Sequence, residues 1–133
     1  MKALDVADFC LLAEAVTGID AAALAAAPDI LARAESALAA PFATFAGVDF
    51  YEGPVIRAAV LCSRLLRNHP LPDGNKRVAY LSMIELIRRN GWEWAPVAPE
   101  RERVAMVERL AAGEIDEGEF AGWLGDQVRP GAA

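Results

Sequence analysis

Apolar residues along this chain recur mostly at intervals of three and four, the period of a helix lying against a core. Leu4, Phe9, Leu11, Leu12 and Val16 follow that spacing, and Gly18 ends it. Asp20 stands as an N-cap before an Ala-rich run to Ala27. Pro28-Asp29 opens another helix through Leu31, Ala34 and Leu38, which must stop before Pro41. Residues 41–53 break the period: Phe42, Phe45, Phe50 and Tyr51 are mixed with Pro41, Gly47 and Gly53, predicting an aromatic loop or short hairpin. Pro54 suits the first turn of the next helix, whose apolar face runs Val55, Ile56, Ala59, Val60, Cys62, Leu65 and Leu66. Arg57, Arg64 and Arg67 are expected to project away from that face, and Pro70 and Pro72 forbid its continuation.

Asp73 is the candidate N-cap of the following helix, where Val78 to Ile87 is apolar nearly all round and predicts the most buried helix. Asn90-Gly91 closes it, and Trp92-Glu93-Trp94 reads as a short extended segment. Pro99 opens a helix through Val104, Val107 and Leu110, and a last one is expected from about Asp116 to Val128. The tail, Arg129 to Ala133, is expected to fray. The pattern predicts an all-α bundle of about six or seven helices with one short flap loop or hairpin. No repeat, linker or low-complexity stretch divides it, so one domain over 1–133 is expected.

Composition narrows the function. Of the 133 residues 55% are hydrophobic, enough for a packed core without disulfides. The net charge of −6 disfavours direct nucleic-acid binding through long-range repulsion of phosphates. The two cysteines, Cys10 and Cys62, sit in apolar helical stretches and read as buried reduced thiols. With a single histidine they give no zinc-ligand spacing. Asp5, Asp8 and Glu14 interrupt any signal-peptide core, and no apolar run has the length of a membrane span, so a cytoplasmic protein with no membrane contact is expected.

The chemistry concentrates in Arg67-Asn68-His69-Pro70-Leu71-Pro72-Asp73-Gly74-Asn75-Lys76-Arg77. One helix ends at the only histidine, two prolines stiffen the turn, and the most buried helix begins at once. A helix start presents unpaired N–H groups and a positive dipole end, a natural anion site. Gly74 would let a ligand approach the backbone, Asn75 offers an amide, and Lys76 and Arg77 add charge suited to phosphate. Asp73 is out of place in so cationic a setting unless it holds a divalent metal bridging to phosphate. An imidazole such as His69 is the side chain able to take a proton from an attacking hydroxyl near neutral pH.

Residues 64–89 hold six Lys/Arg and two acids, a net of +4, which leaves −10 for the rest of the chain. Taken singly, His69 has a plainer structural use, Asp73 a plainer use as a cap, and Lys76-Arg77 a plainer use as a solvated helix start. Together on one helix-to-helix turn they describe a phosphoryl- or nucleotidyl-transfer site.

The segment from His69 to Arg77 resembles the Fic family motif H-x-F-x-D/E-G-N-G-R-x-x-R. Three departures are visible. Lys76 replaces the second glycine, which in adenylylating Fic enzymes leaves room for the nucleotide phosphates. Tyr80 stands where the last arginine would fall. Leu71 stands where Phe anchors the loop. The first two are similar to the Doc (death-on-curing) branch, as are Val78-Ala79-Tyr80-Leu81 and Arg88-Arg89-Asn90-Gly91.

The resemblance implies a Fic/Doc-like helical bundle and a toxin that phosphorylates a Ser or Thr hydroxyl of elongation factor Tu from ATP and Mg²⁺. It implies His69 as general base, Asp73 as Mg²⁺ ligand, and Gly74, Asn75, Lys76 and Arg77 as phosphate binders, with Arg67 a weaker candidate for charge stabilisation. It implies that residues 41–51 form a flap beside the target peptide, and that a Phd-like antitoxin folds into a groove that Phe42, Phe45, Phe50, Tyr51, Trp92 and Trp94 would line. Two other readings stay open: a Fic-type nucleotidyltransferase adding AMP or UMP, against which Lys76 and Tyr80 argue, and a catalytically silent binding module.

Overall fold

The computed structural model of the chain describes residues 1–131. Seven helices make up most of it: α1 (Val6–Thr17), α2 (Ala21–Ala25), α3 (Pro28–Ala39), α4 (Pro54–Asn68), α5 (Asn75–Arg89), α6 (Glu100–Ala111) and α7 (Glu117–Gly125). A short 3-10 turn at Ala40–Phe42 and two small antiparallel ribbons complete it: β1 (Thr44–Phe45) with β2 (Val48–Asp49), and β3 (Trp92–Trp94) with β4 (Val128–Pro130). The predominantly helical architecture is the expected one.

Local chemistry explains most boundaries. Asp5, Asp20 and Asp116 cap α1, α2 and α7 by accepting from first-turn amides. Gly18 ends α1 with φ 77°, the left-handed turn that a residue without Cβ makes at little cost. Pro28 and Pro54 sit in the first turns of α3 and α4. The aromatic loop or short hairpin predicted over 41–53 is the β1–β2 hairpin, turned by Ala46 and Gly47, both at positive φ as a tight hairpin requires.

The core lies between α4 and α5, which pack together most extensively, with α3, α7 and α1 around them. Phe9, Leu24, Leu61, Leu65, Met83, Leu86, Ile87, Phe120 and Leu124 are fully buried there. In α5 Val78, Ala79, Ser82, Met83, Ile84, Leu86 and Ile87 are buried, but α4 is buried to the same extent, so α5 shares with it the place expected for α5 alone.

Three expectations are corrected. The last helix ends at Gly125, and Val128 instead pairs with Trp94. The tail is therefore held where fraying was expected: Arg129 and Pro130 belong to β4, and the Gly131 amide donates to the Gly91 carbonyl at 2.8 Å. Ala132 and Ala133, the rest of that tail, lie outside the described residues. Arg57 does not project away but is buried, donating to the Tyr51 carbonyl and to Asp49 at 3.0 Å each, with its guanidinium 4.9 Å from the Phe42 ring centre. Burial of a cation is tolerated because those partners replace water.

Candidate active site at the turn between α4 and α5

Helix α4 stops at His69, which adopts left-handed angles (φ 48°, ψ 58°) while its amide donates to the Leu65 carbonyl at 3.1 Å. Such a conformation is unfavourable for a residue with a Cβ and persists only where the surroundings impose it. Pro70 and Leu71 then dive into the core, Leu71 to 2% exposure, so leucine fills the anchoring position. The imidazole is left exposed at the rim of the turn.

Asn75 closes the loop. Its Oδ1 accepts from the Leu71 amide at 3.0 Å and its Nδ2 donates to the Leu71 carbonyl at 2.8 Å. The side chain is buried and braces the turn, so the amide expected to meet phosphate is committed first to the backbone.

Asp73 is not the N-cap of α5: Gly74 is, at φ 81°, and no side chain caps this helix. Asp73 Oδ1 instead accepts from the Gly74 amide at 2.8 Å. The first-turn amides of α5 therefore lack the carboxylate that α1, α2 and α7 each have. Gly74 also has a reason that sequence alone does not give. A Cβ there would come within 3.1 Å of Thr17 Cγ2 and 3.2 Å of Val16 Cγ1, so its missing side chain faces α1.

These residues surround one hollow of about 520 Å³, lined by His69, Pro72, Asp73, Gly74, Asn75, Lys76 and Arg77, with Leu66 and Ala111 as its remaining walls. Arg67 is not among them. It lines an adjoining hollow of about 370 Å³ with Ser63 and Glu117, and the two share Leu66 and Ala111.

The charge count over 64–89 is refined by the ion pairs. Arg64 binds Glu117 at 2.9 Å, and Arg89 binds Asp8 at 2.7 Å and Glu85 at 3.2 Å. Burial raises the Glu117 pKa, but the Arg64 and Ser63 hydrogen bonds outweigh it and hold the carboxyl below its ordinary value. Arg67, Lys76, Arg77 and Arg88 have no carboxylate within 4.0 Å among the described residues, so three of the four unpaired cations of this stretch lie at the turn and the fourth at the far end of α5.

Among the described residues no three His, Cys, Asp or Glu side chains gather as a metal cage. A metal here would have Asp73 as its one protein carboxylate and would take further oxygens from phosphate and water. That donor set fits Mg²⁺, which is commonly held by one or two carboxylates plus substrate phosphates. No described helix is long and apolar enough to cross a membrane.

Sequence reasoning missed Leu66 and Ala111 as walls of the hollow, and missed Arg103 of α6, which donates from Nε to Tyr80 Oη at 3.1 Å. No spacing signal marks Ala111 and Arg103, because α6 reaches this place only through packing, whereas Leu66 lies on α4 one turn before His69 and read as part of its apolar face.

The sequence compares with known proteins as follows. The profile of the Fic/DOC family matches residues 5–87. A protein named Toxin Doc, from Mycolicibacterium smegmatis (strain ATCC 700084 / mc(2)155), is 43% identical over 61 residues. That alignment covers 46% of this chain and 47% of the relative, about half of each. No solved structure matches. With the profile running from the cap of α1 into the last turn of α5, across the whole His69 turn, the chain belongs to the Fic/DOC family.

Proposed function

We propose that this chain is a Doc-like toxin that transfers the γ-phosphoryl group of ATP to a Ser or Thr hydroxyl of a translation protein, elongation factor Tu being the expected target. An antitoxin of Phd type would hold it inactive. The observation that carries the reading is the uncapped start of α5. It opens into the same hollow as His69, with Lys76 standing where a second glycine would leave space. The likeness to a protein named Toxin Doc supports the toxin part of the reading.

In this mechanism the first-turn amides of α5, with Lys76 and Arg77, bind the phosphate oxygens and offset their charge. Asp73 would hold Mg²⁺, which would supply neutralisation of phosphate charge. The exposed imidazole of His69 accepts the hydroxyl proton as the oxygen forms its bond to the γ-phosphorus. The bond from that phosphorus to the β–γ bridging oxygen breaks, and ADP leaves. Asn75 acts by keeping the turn in shape. Arg67, in the adjoining hollow, is assigned to contacts with the incoming protein or the outer phosphate charge.

The test is mass spectrometry of elongation factor Tu after incubation with this protein, ATP and Mg²⁺. One added phosphoryl group, absent with His69→Ala, is the expected result. One added AMP would assign the chain to the nucleotidyltransferases and overturn the argument from Lys76. An unchanged growth phenotype of His69→Ala on expression in cells would favour the silent binding module.

A further inference from the structure

The chain has four arginines that are buried or half-buried: Arg57, Arg64, Arg89 and Arg103. The first three are each ion-paired with a carboxylate. Arg103 has no such partner among the described residues. Its guanidinium is nevertheless fixed, by Nε donating to Tyr80 Oη at 3.1 Å and Nη1 donating to the Ala98 carbonyl at 2.6 Å. Tyr80 is held in turn edge-on against Trp94, with ring centres 5.7 Å apart. A guanidinium has five N–H donors, so two bonds to neutral acceptors leave three and the whole charge uncompensated.

Arg103 faces a hollow of about 420 Å³ that it shares with Lys76 and Arg77, the same two residues that wall the His69 hollow. The two spaces therefore share Lys76 and Arg77, in the first turn of α5, as a common wall. Exposed Glu100 and Glu108 also line the second hollow, leaving three cations against two carboxylates. That balance suits one compact phosphate on the cationic side better than an extended polyanion.

We infer that Arg103 is a phosphate-binding residue for the nucleotide, and that Tyr80 is the positioning residue that aims it. The inference rests on the phosphoryl-transfer reading above and adds a contact from outside the motif. Tyr80 occupies the position of the absent motif arginine, and its hydroxyl carries a guanidinium delivered by α6. A single proton donor and acceptor thus substitutes for a charged side chain by recruiting one from another helix.

The experiment is calorimetric titration of the full chain with a non-hydrolysable ATP analogue and Mg²⁺, with circular dichroism confirming the fold of each variant. Arg103→Ala is expected to weaken binding about tenfold or more, and Arg103→Lys to restore part of it. Arg101→Ala, on the exposed side of the same helix, should bind as the parent does. Tyr80→Phe should weaken binding a few-fold in the parent and have no effect in the Arg103→Ala background, as expected of residues acting through one contact. Arg103→Ala binding within twofold of the parent, while Lys76→Ala weakens it, would overturn the inference and leave the proposed function standing. No nucleotide binding by the parent chain would overturn both. Independent effects of Tyr80→Phe and Arg103→Ala would overturn the positioning role of Tyr80.

Discussion

Asn75 illustrates how a residue can belong to a chemical motif and still do its first work on the backbone. Its side chain satisfies both polar groups of Leu71, a buried residue that otherwise has no partner for them in the turn. Asn75→Ala is expected to cost about 2 kcal/mol, the penalty for stranding buried polar groups, read as a lower urea midpoint. The same variant should lose transfer activity because the His69 turn loosens. Gly74→Ala is expected to destabilise by a similar amount, about 2 kcal/mol, through its left-handed φ and the close approach to Val16 and Thr17. Burial also governs the thiols: it pushes Cys62 up to about 12 and raises Cys10. Since thiolate is the nucleophile, neither should react with a thiol-specific disulfide reagent until the chain is unfolded.

At the level of elements, the two ribbons have opposite characters. The β1–β2 hairpin is tied down by Arg57, yet Phe45, Val48 and Phe50 stand 73, 66 and 63% exposed. Phe50 packs loosely, with tilted rings, on both Phe45 and Tyr51, while Trp94 meets Tyr80 edge-on elsewhere. No aromatic pair among the described residues joins the hairpin to the β3–β4 ribbon. Replacing Phe45 and Phe50 by Ser is expected to shift stability by less than about 1 kcal/mol, as for other surface positions. If the hairpin guides the target, the same change should lower phosphorylation of the protein without altering nucleotide affinity, a split that kinetics and titration together would reveal. The β3–β4 ribbon is instead structural. It pins the chain's last described residues to Trp92–Trp94 through a three-residue register, and deleting residues 128–133 should lower the melting temperature and expose Trp94 to quencher.

Across the whole molecule, the ion pair of Asp8 and Arg89 clips α1 to the end of α5 over 81 positions of sequence. The Arg89 hydrogen bonds hold the Asp8 carboxyl down to about 2, against an ordinary value of 3.8. A depressed carboxylate stabilises the fold fully above its unfolded value, and that contribution is lost as pH falls from about 4 to 2. Solvent screening at this half-buried pair limits it to about 1 kcal/mol. Asp8→Asn should therefore lower the urea midpoint at pH 7 and leave it nearly unchanged at pH 2, and an equal effect at both would contradict the assignment. The pair also steadies the site indirectly, because α1 is the helix against which Gly74 rests.

The sequence by itself determined the helices, most of their boundaries and the turn proposed to carry the chemistry. Helical period, proline stops and the His69–Arg77 motif are written within a few residues of where they act, so local physics suffices to read them. Only the tertiary structure decided that Asp73 leaves the start of α5 uncapped, that Arg57 is buried, that Arg67 faces the neighbouring hollow, and that the tail becomes a strand. It alone brought Arg103 to Tyr80 across 23 positions. Those outcomes depend on how α1, α6 and the ribbons dock on the α4–α5 pair. Docking is set by the fit of many side chains far apart in the chain, and no spacing along the sequence encodes it.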